Sequence, residues 1–155
     1  LAFGSLSVKG RALGYLARRE HSRLELERKL APHVADLPDA SAQSQIAAAL
    51  DELTARGLLS EQRVADSVLS SQGQRFGSRR LKQTLQAKGL PADMVAQTLQ
   101  QARGTELERA HAVWQRRFGG PATDAADRAR QMRFLAGRGF DTEVIRRVVK
   151  ATDND

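Results

Sequence analysis

The chain has 155 residues, 25 Lys/Arg against 18 Asp/Glu for a net charge of +7, and no cysteine. A globule of this length buries roughly 70% of the surface its unfolded chain exposes, so a core forms without a metal or disulfide. The missing cysteines exclude disulfides, thiolate metal sites and a cysteine nucleophile, and they fit a reducing cytoplasm.

No apolar run is long enough to span a bilayer, and no basic cluster precedes an apolar stretch near the start, so neither a membrane anchor nor a secretory signal is expected. The start at Leu1 reads as a cut or trimmed end and carries no functional weight.

Taken in chain order, apolar residues recur at intervals of three and four, the period of an amphipathic helix. Leu13 and Leu16 begin the series, followed by Leu26, Leu30 and Val34, then Ile46, Leu50 and Leu53. Val64 and Val68, Leu81 and Leu85, and Val95 and Leu99 form the middle sets. Leu107, Ala110 and Trp114, then Met132 and Leu135, then Val144, Ile145 and Val148 complete it.

Ser22 with Glu25 three residues on is a capping box, and Ser41 and Ser60 are further N-caps. Gly57, Gly89 and Gly139 stand where a helix would close on a left-handed residue, and Pro91 where one would begin. The expected spans are 8–20, 22–34, 42–56, 60–74, 78–88, 92–103, 105–117, 124–138 and 142–151.

These nine helices fall into three groups. Arg80 through Gln100 aligns with Arg130 through Lys150 at a lag of 50: Leu85 with Leu135, Lys88-Gly89-Leu90 with Arg138-Gly139-Phe140. At a lag of 55, Leu26 and Leu30 align with Leu81 and Leu85. The expected class is all-α: three tandem three-helix repeats, residues 1–57, 58–103 and 104–155, in an elongated, curved array. A single nine-helix globule is the alternative.

No catalytic constellation is present. His21, His33 and His111 are not at metal-ligand spacing, and no phosphate-binding glycine loop or nucleophile elbow occurs. The chain is therefore expected not to be an enzyme and to need no metal or cofactor.

Charge is distributed in blocks. Residues 1–35 carry seven Lys/Arg against three Asp/Glu, 36–74 two against six, and 75–103 six against one. Within the last of these, Arg75, Arg79, Arg80, Lys82 and Lys88 lie with no acid among them. On a helix starting near Ser78, Leu81 and Leu85 face inward and most of these cations face out. Such a face suits phosphate or an acidic protein surface, or is simply a solvated helix face.

A second basic set is Arg18, Arg19, Arg23, Arg28 and Lys29, diluted by Glu20, Glu25 and Glu27. A third is Arg128, Arg130, Arg133, Arg138, Arg146, Arg147 and Lys150, with Arg146 and Lys150 on one face. Tyr15, Phe76, Trp114, Phe118, Phe134 and Phe140 fall on or beside apolar stripes. They read as core, so base stacking is poorly supported.

The run Ala12-Leu13-Gly14-Tyr15-Leu16-Ala17-Arg18-Arg19-Glu20-His21-Ser22-Arg23, with Leu26 and Lys29-Leu30, resembles the opening signature of the RecX family. Arg56-Gly57-Leu58-Leu59-Ser60-Glu61-Gln62-Arg63-Val64-Ala65 resembles that family's link into its second repeat, with Val64 where Phe is common. Phe76-Gly77-Ser78-Arg79-Arg80-Leu81, with Leu85 and Lys88-Gly89-Leu90, is similar to its middle motif.

The resemblance covers nearly the whole chain and is weakest in the last repeat. It implies tandem three-helix repeats that lie in the groove of the RecA–DNA filament. It also implies suppression of ATP hydrolysis, strand exchange and repressor autocleavage in DNA repair, recombination and the SOS response. Weak, sequence-independent DNA binding and a monomeric state are expected. The contact candidates are Arg75, Arg79, Arg80, Lys82, Lys88, Arg18, Arg19, Arg146 and Lys150. The alternative function is a DNA-binding helical regulator, and a further one is a helical adaptor using the acidic 36–74 block.

Overall fold

The computed structural model describes residues 6–150, so Leu1 and residue 151 of the last expected span lie outside the described residues. Among those described, nine α-helices and one short 3-10 turn account for the regular structure: α1 Val8–Leu16, α2 Arg23–Leu30, the turn Ala31–His33, α3 Ala42–Ala55, α4 Glu61–Gln72, α5 Ser78–Ala87, α6 Ala92–Arg103, α7 Glu106–Phe118, α8 Ala125–Gly137 and α9 Thr142–Lys150. The lone β-pairing among the described residues is an isolated bridge between Leu37 and Ala40. The class is all-α, as the periodicity requires.

The expected caps form. Ser22 accepts from the Glu25 N–H while Glu25 reaches back to the Ser22 N–H, a reciprocal capping box. Ser41 accepts from Ser44 N and Ser60 from Arg63 N. Two expected helices end early. α1 stops at Leu16, where Arg18 N turns back to the Tyr15 carbonyl at 3.1 Å. α2 stops at Leu30 because Pro32 has no N–H to continue the ladder, so the chain tightens into the 3-10 turn.

The chain packs as two compact units. Among the described residues, the first comprises 6–64 together with Lys88–Leu90, and the second comprises Ala65–Ala87 and 91–150. The core of the first unit is Ala12, Leu26, Leu30, Ile46, Leu50, Leu53 and Leu59, with Val8, Tyr15, Leu16 and Val34 at its edge. Ala12, not Leu13, is the buried centre of α1, and Leu13 remains 36% exposed. A methyl side chain there lets α1 approach its neighbours closely, which a leucine would prevent.

The second unit's core is Ala110, Val113, Trp114, Leu135, Phe140, Ile145, Val148 and Val149 from α7, α8, α9 and the loop before α9. Trp114 is satisfied inside it by donating Nε1–H to the Gln131 Oε1 at 2.8 Å.

Each unit contains the same kind of joint. In the first, Glu61 at the start of α4 accepts from the Arg23 N–H at the start of α2, 2.8 Å away. In the second, Glu106 at the start of α7 accepts from the Ser78 N–H at the start of α5, 3.0 Å away. Each carboxylate satisfies a donor that the helix start leaves open and complements its dipole.

The glycine loops repeat as well. Gly89, at φ 73°, presses on Leu24 in the first unit, and Gly139, at φ 85°, presses on Arg80 in the second. A β-carbon at either position would need both a left-handed backbone and space already occupied.

Candidate functional site

The basic face expected on α5 exists. Arg79, Arg80 and Lys82 are exposed, while Leu81 and Leu85 are buried beneath them. The Arg79 guanidinium lies 3.7 Å from the Asp141 carboxylate and donates to Thr142 Oγ1 at 3.3 Å. Arg80 lies over Phe76, its guanidinium carbon 4.6 Å from the ring centroid. Arg75 reaches the same ring at 5.3 Å. Arg146 and Lys150 are exposed near the end of α9, Arg146 paired with Glu143 at 2.8 Å.

Lys88 and Arg19 have a different setting. Both hold Glu25, at 3.0 and 2.7 Å respectively. Burial alone would raise the Glu25 carboxyl, but hydrogen bonds from Arg19, the Ser22 backbone and Lys88 outweigh it and bring it down to about 2. This charge cluster anchors the α2 capping box. It leaves Arg18 as the cation of the pair 18–19 that is exposed without an ion pair among the described residues.

Beside it His21 is buried. Its Nδ1–H donates to the Arg19 carbonyl at 3.1 Å, and its Nε2 accepts from Lys29 at 3.0 Å. Burial keeps its pKa below the ordinary histidine value, in keeping with the neutral ring this pattern needs.

Two features were not visible from spacing. Arg109, half-buried in α7, spends its guanidinium on the backbone, donating to the carbonyls of Phe76 at 2.8 Å and Ala102 at 2.7 Å. Burial lowers its pKa, while Glu106 nearby opposes that.

The other feature is an arginine–aromatic pocket of about 280 Å³ in the second unit, lined by Arg75, Val113, Arg116, Arg117, Phe134 and Arg138. Trp114 and Phe140 are core, as expected, but Phe76, Phe118 and Phe134 are only half-buried, and guanidinium groups cover their faces. Arg138 contacts two rings, 5.6 Å from Phe76 and 5.2 Å from Phe134. Arg117 is 5.4 Å from Phe134, and Phe118 meets Phe134 edge-on at 5.4 Å.

Among the described residues there is no group of three His, Cys, Asp or Glu side chains able to hold a metal, and no helix long and apolar enough to cross a membrane.

Residues 105–149, covering α7 to α9, match the family described as RecX, third three-helix domain. A regulatory protein RecX from Leptothrix cholodnii is 52% identical over 150 residues, spanning 97% of this chain and 92% of the relative. The chain belongs to the RecX family. A second RecX relative, from Ralstonia nicotianae, is 45% identical over 148 residues, covering 96% of this chain and 89% of its own length.

The crystal structure of RecX from Lactobacillus salivarius superposes with a TM-score of 0.76 over 94% of each chain, at 19% identity, which speaks to the fold. The last repeat, where the sequence carried least RecX signature, is the part the family description matches directly. Its helices are carried by a core of Trp114, Leu135, Phe140 and Ile145 rather than by a polar motif.

Proposed function

We propose that this RecX-family chain is a non-catalytic regulator that docks on the RecA–DNA filament in the cytoplasm. There it restrains recombinase, ATPase and coprotease activity. Its relatives are named regulatory proteins, and the resemblance carried by residues 12–30, 56–65 and 76–90 supplies the partner. The observation that carries the docking assignment is the outward row of Arg79, Arg80 and Lys82 above buried Leu81 and Leu85.

A face of this kind recognises carboxylates and phosphates through forked, charge-assisted hydrogen bonds. Arg18, Arg146 and Lys150 are further cations for the same partner, and several weak contacts made together give avidity. Arg75 is a further exposed cation, whereas Arg19 and Lys88 contribute less directly because Glu25 engages both.

The test is inhibition of RecA ATPase by the variant Arg79→Glu with Lys82→Glu. Arg80 is spared because it packs on Phe76 and against Gly139. The reading expects at least a tenfold higher concentration for half-inhibition, with helicity retained. Unchanged inhibition removes α5 from the docking surface. Tight, sequence-dependent duplex binding without effect on RecA would favour the DNA-binding regulator instead.

A further inference from the structure

We infer that the pocket formed by Arg75, Arg116, Arg117 and Arg138 binds the backbone phosphates of single-stranded nucleic acid, without reading its bases. The inference deepens the filament reading, since such a strand is what a recombinase filament carries, and it rests on that reading only for its setting.

The pocket's charge comes first. Four guanidiniums line about 280 Å³. No carboxylate among the described residues lies within ion-pair distance of any of the four, so their charges meet in one pocket without a counter-charge. Four like charges held close together repel one another, and a ligand carrying several closely spaced negative charges relieves this. A run of phosphodiesters offers one permanent negative charge per nucleotide.

The rings explain why the cations stay in place. Arg138 lies over both Phe76 and Phe134, Arg117 is 5.9 Å from Phe118 and 5.4 Å from Phe134, and Arg75 rests on Phe76. Cation–π contact holds these three guanidiniums beside rings while their N–H donors remain available to oxyanions. Part of the ordering of these three side chains is therefore in place before a ligand arrives.

The same stacking excludes a base-reading mode. The faces of Phe76 and Phe134 on which a base would lie are taken by arginine. Recognition is left to phosphate and sugar, with Val113 and the exposed part of Phe134 as the apolar floor. A stiff duplex holds its phosphates apart on a convex surface and cannot turn several of them toward one small pocket. A single strand can bend its backbone into it.

The experiment is fluorescence anisotropy of the full chain with labelled dT and dA oligonucleotides across a salt series, with no RecA present. The pocket variant is Arg116→Glu with Arg117→Glu, and Arg28→Glu with Arg56→Glu is a charge-matched control on other helices. Circular dichroism checks that each folds.

The pocket variant is expected to lose at least tenfold in affinity, equally for dT and dA. The slope of log affinity against log salt should fall by about 1.4, the value for two lost single-strand phosphate contacts. The control is expected to stay within about threefold, since its charges act only through a screened field. The milder pair Arg116→Lys with Arg117→Lys keeps charge and loses the fork; it should lose about fivefold while Arg28→Lys with Arg56→Lys loses nothing, and it carries the test if the reversal does not fold.

Unchanged affinity and slope, or an equal loss in the control, would each overturn the phosphate assignment. Because RecA is absent, any of these leaves docking on the filament standing. Conversely, reduced oligonucleotide affinity supports the pocket even if RecA inhibition fails to appear.

Discussion

Glu106 holds Ser78: its carboxylate accepts from the Ser78 N–H at 3.0 Å and from the Ser78 hydroxyl at 2.9 Å, and both residues are buried. The same oxygen accepts from the Asp141 N–H at 3.3 Å, at the entrance to α9. One side chain at the start of α7 thus closes the starts of α5 and α9. Glu106→Ala removes the acceptor for all three donors and should cost about 2–4 kcal/mol of stability, with Glu106→Gln costing less. Urea denaturation measures this, and a loss under about 0.5 kcal/mol, the range of ordinary surface substitutions, would show that the joint is dispensable.

Gly77 precedes this joint. Its N–H donates to the Arg138 carbonyl at 2.9 Å, and a β-carbon there would collide with the backbone of Gly139 and Phe140. Backbone cannot swing aside as a side chain does, so Gly77→Ala should destabilise by about 1–3 kcal/mol. Gly57, at φ 74° with open space around it, should tolerate Asn far better. Thermal melts of the two variants side by side give the comparison, and equal losses would contradict it.

Acid should weaken the first unit in two stages. His21 has a lowered folded pKa, so its contribution is complete above the unfolded value of 6.5 and diminishes as pH falls below it. Glu25 falls from 4.5 to about 2 on folding, so its contribution is present above pH 4.5 and is lost on descending toward 2. With solvent screening, the Glu25 part amounts to roughly 1–3 kcal/mol. Glu25→Gln should flatten the stability profile between pH 4.5 and 2 while leaving the His21 part. A profile as steep as that of the unaltered chain would contradict the assignment.

Much of the fold was legible. Each expected stripe corresponds to a helix because burial of leucine and valine at a 3.6-residue period leaves few alternatives, and Ser22–Glu25 announces its own cap. Leu13 was misplaced because hydrophobicity alone ranks it above Ala12, whereas close helix approach favours the methyl. The joints made by Glu61 and Glu106 were invisible, because a glutamate opening one helix does not say which distant N–H it meets.

The candidate cations were only partly legible for the same reason. A count of charge along the chain does not show that Lys88 and Arg19 are taken by Glu25 while Arg116 and Arg117 stand beside Arg75 and Arg138. The half-buried phenylalanines looked like core because pattern does not distinguish a ring covered by leucine from one covered by arginine.

The central claim is physical association with a recombinase filament, and co-sedimentation with preformed RecA filaments on single-stranded DNA at physiological salt tests it most directly. The account predicts that the chain pellets with the filament in a saturable ratio and that added Arg79→Glu with Lys82→Glu protein does not compete. A chain that stays in the supernatant at micromolar filament, while RecA itself pellets fully, would contradict it.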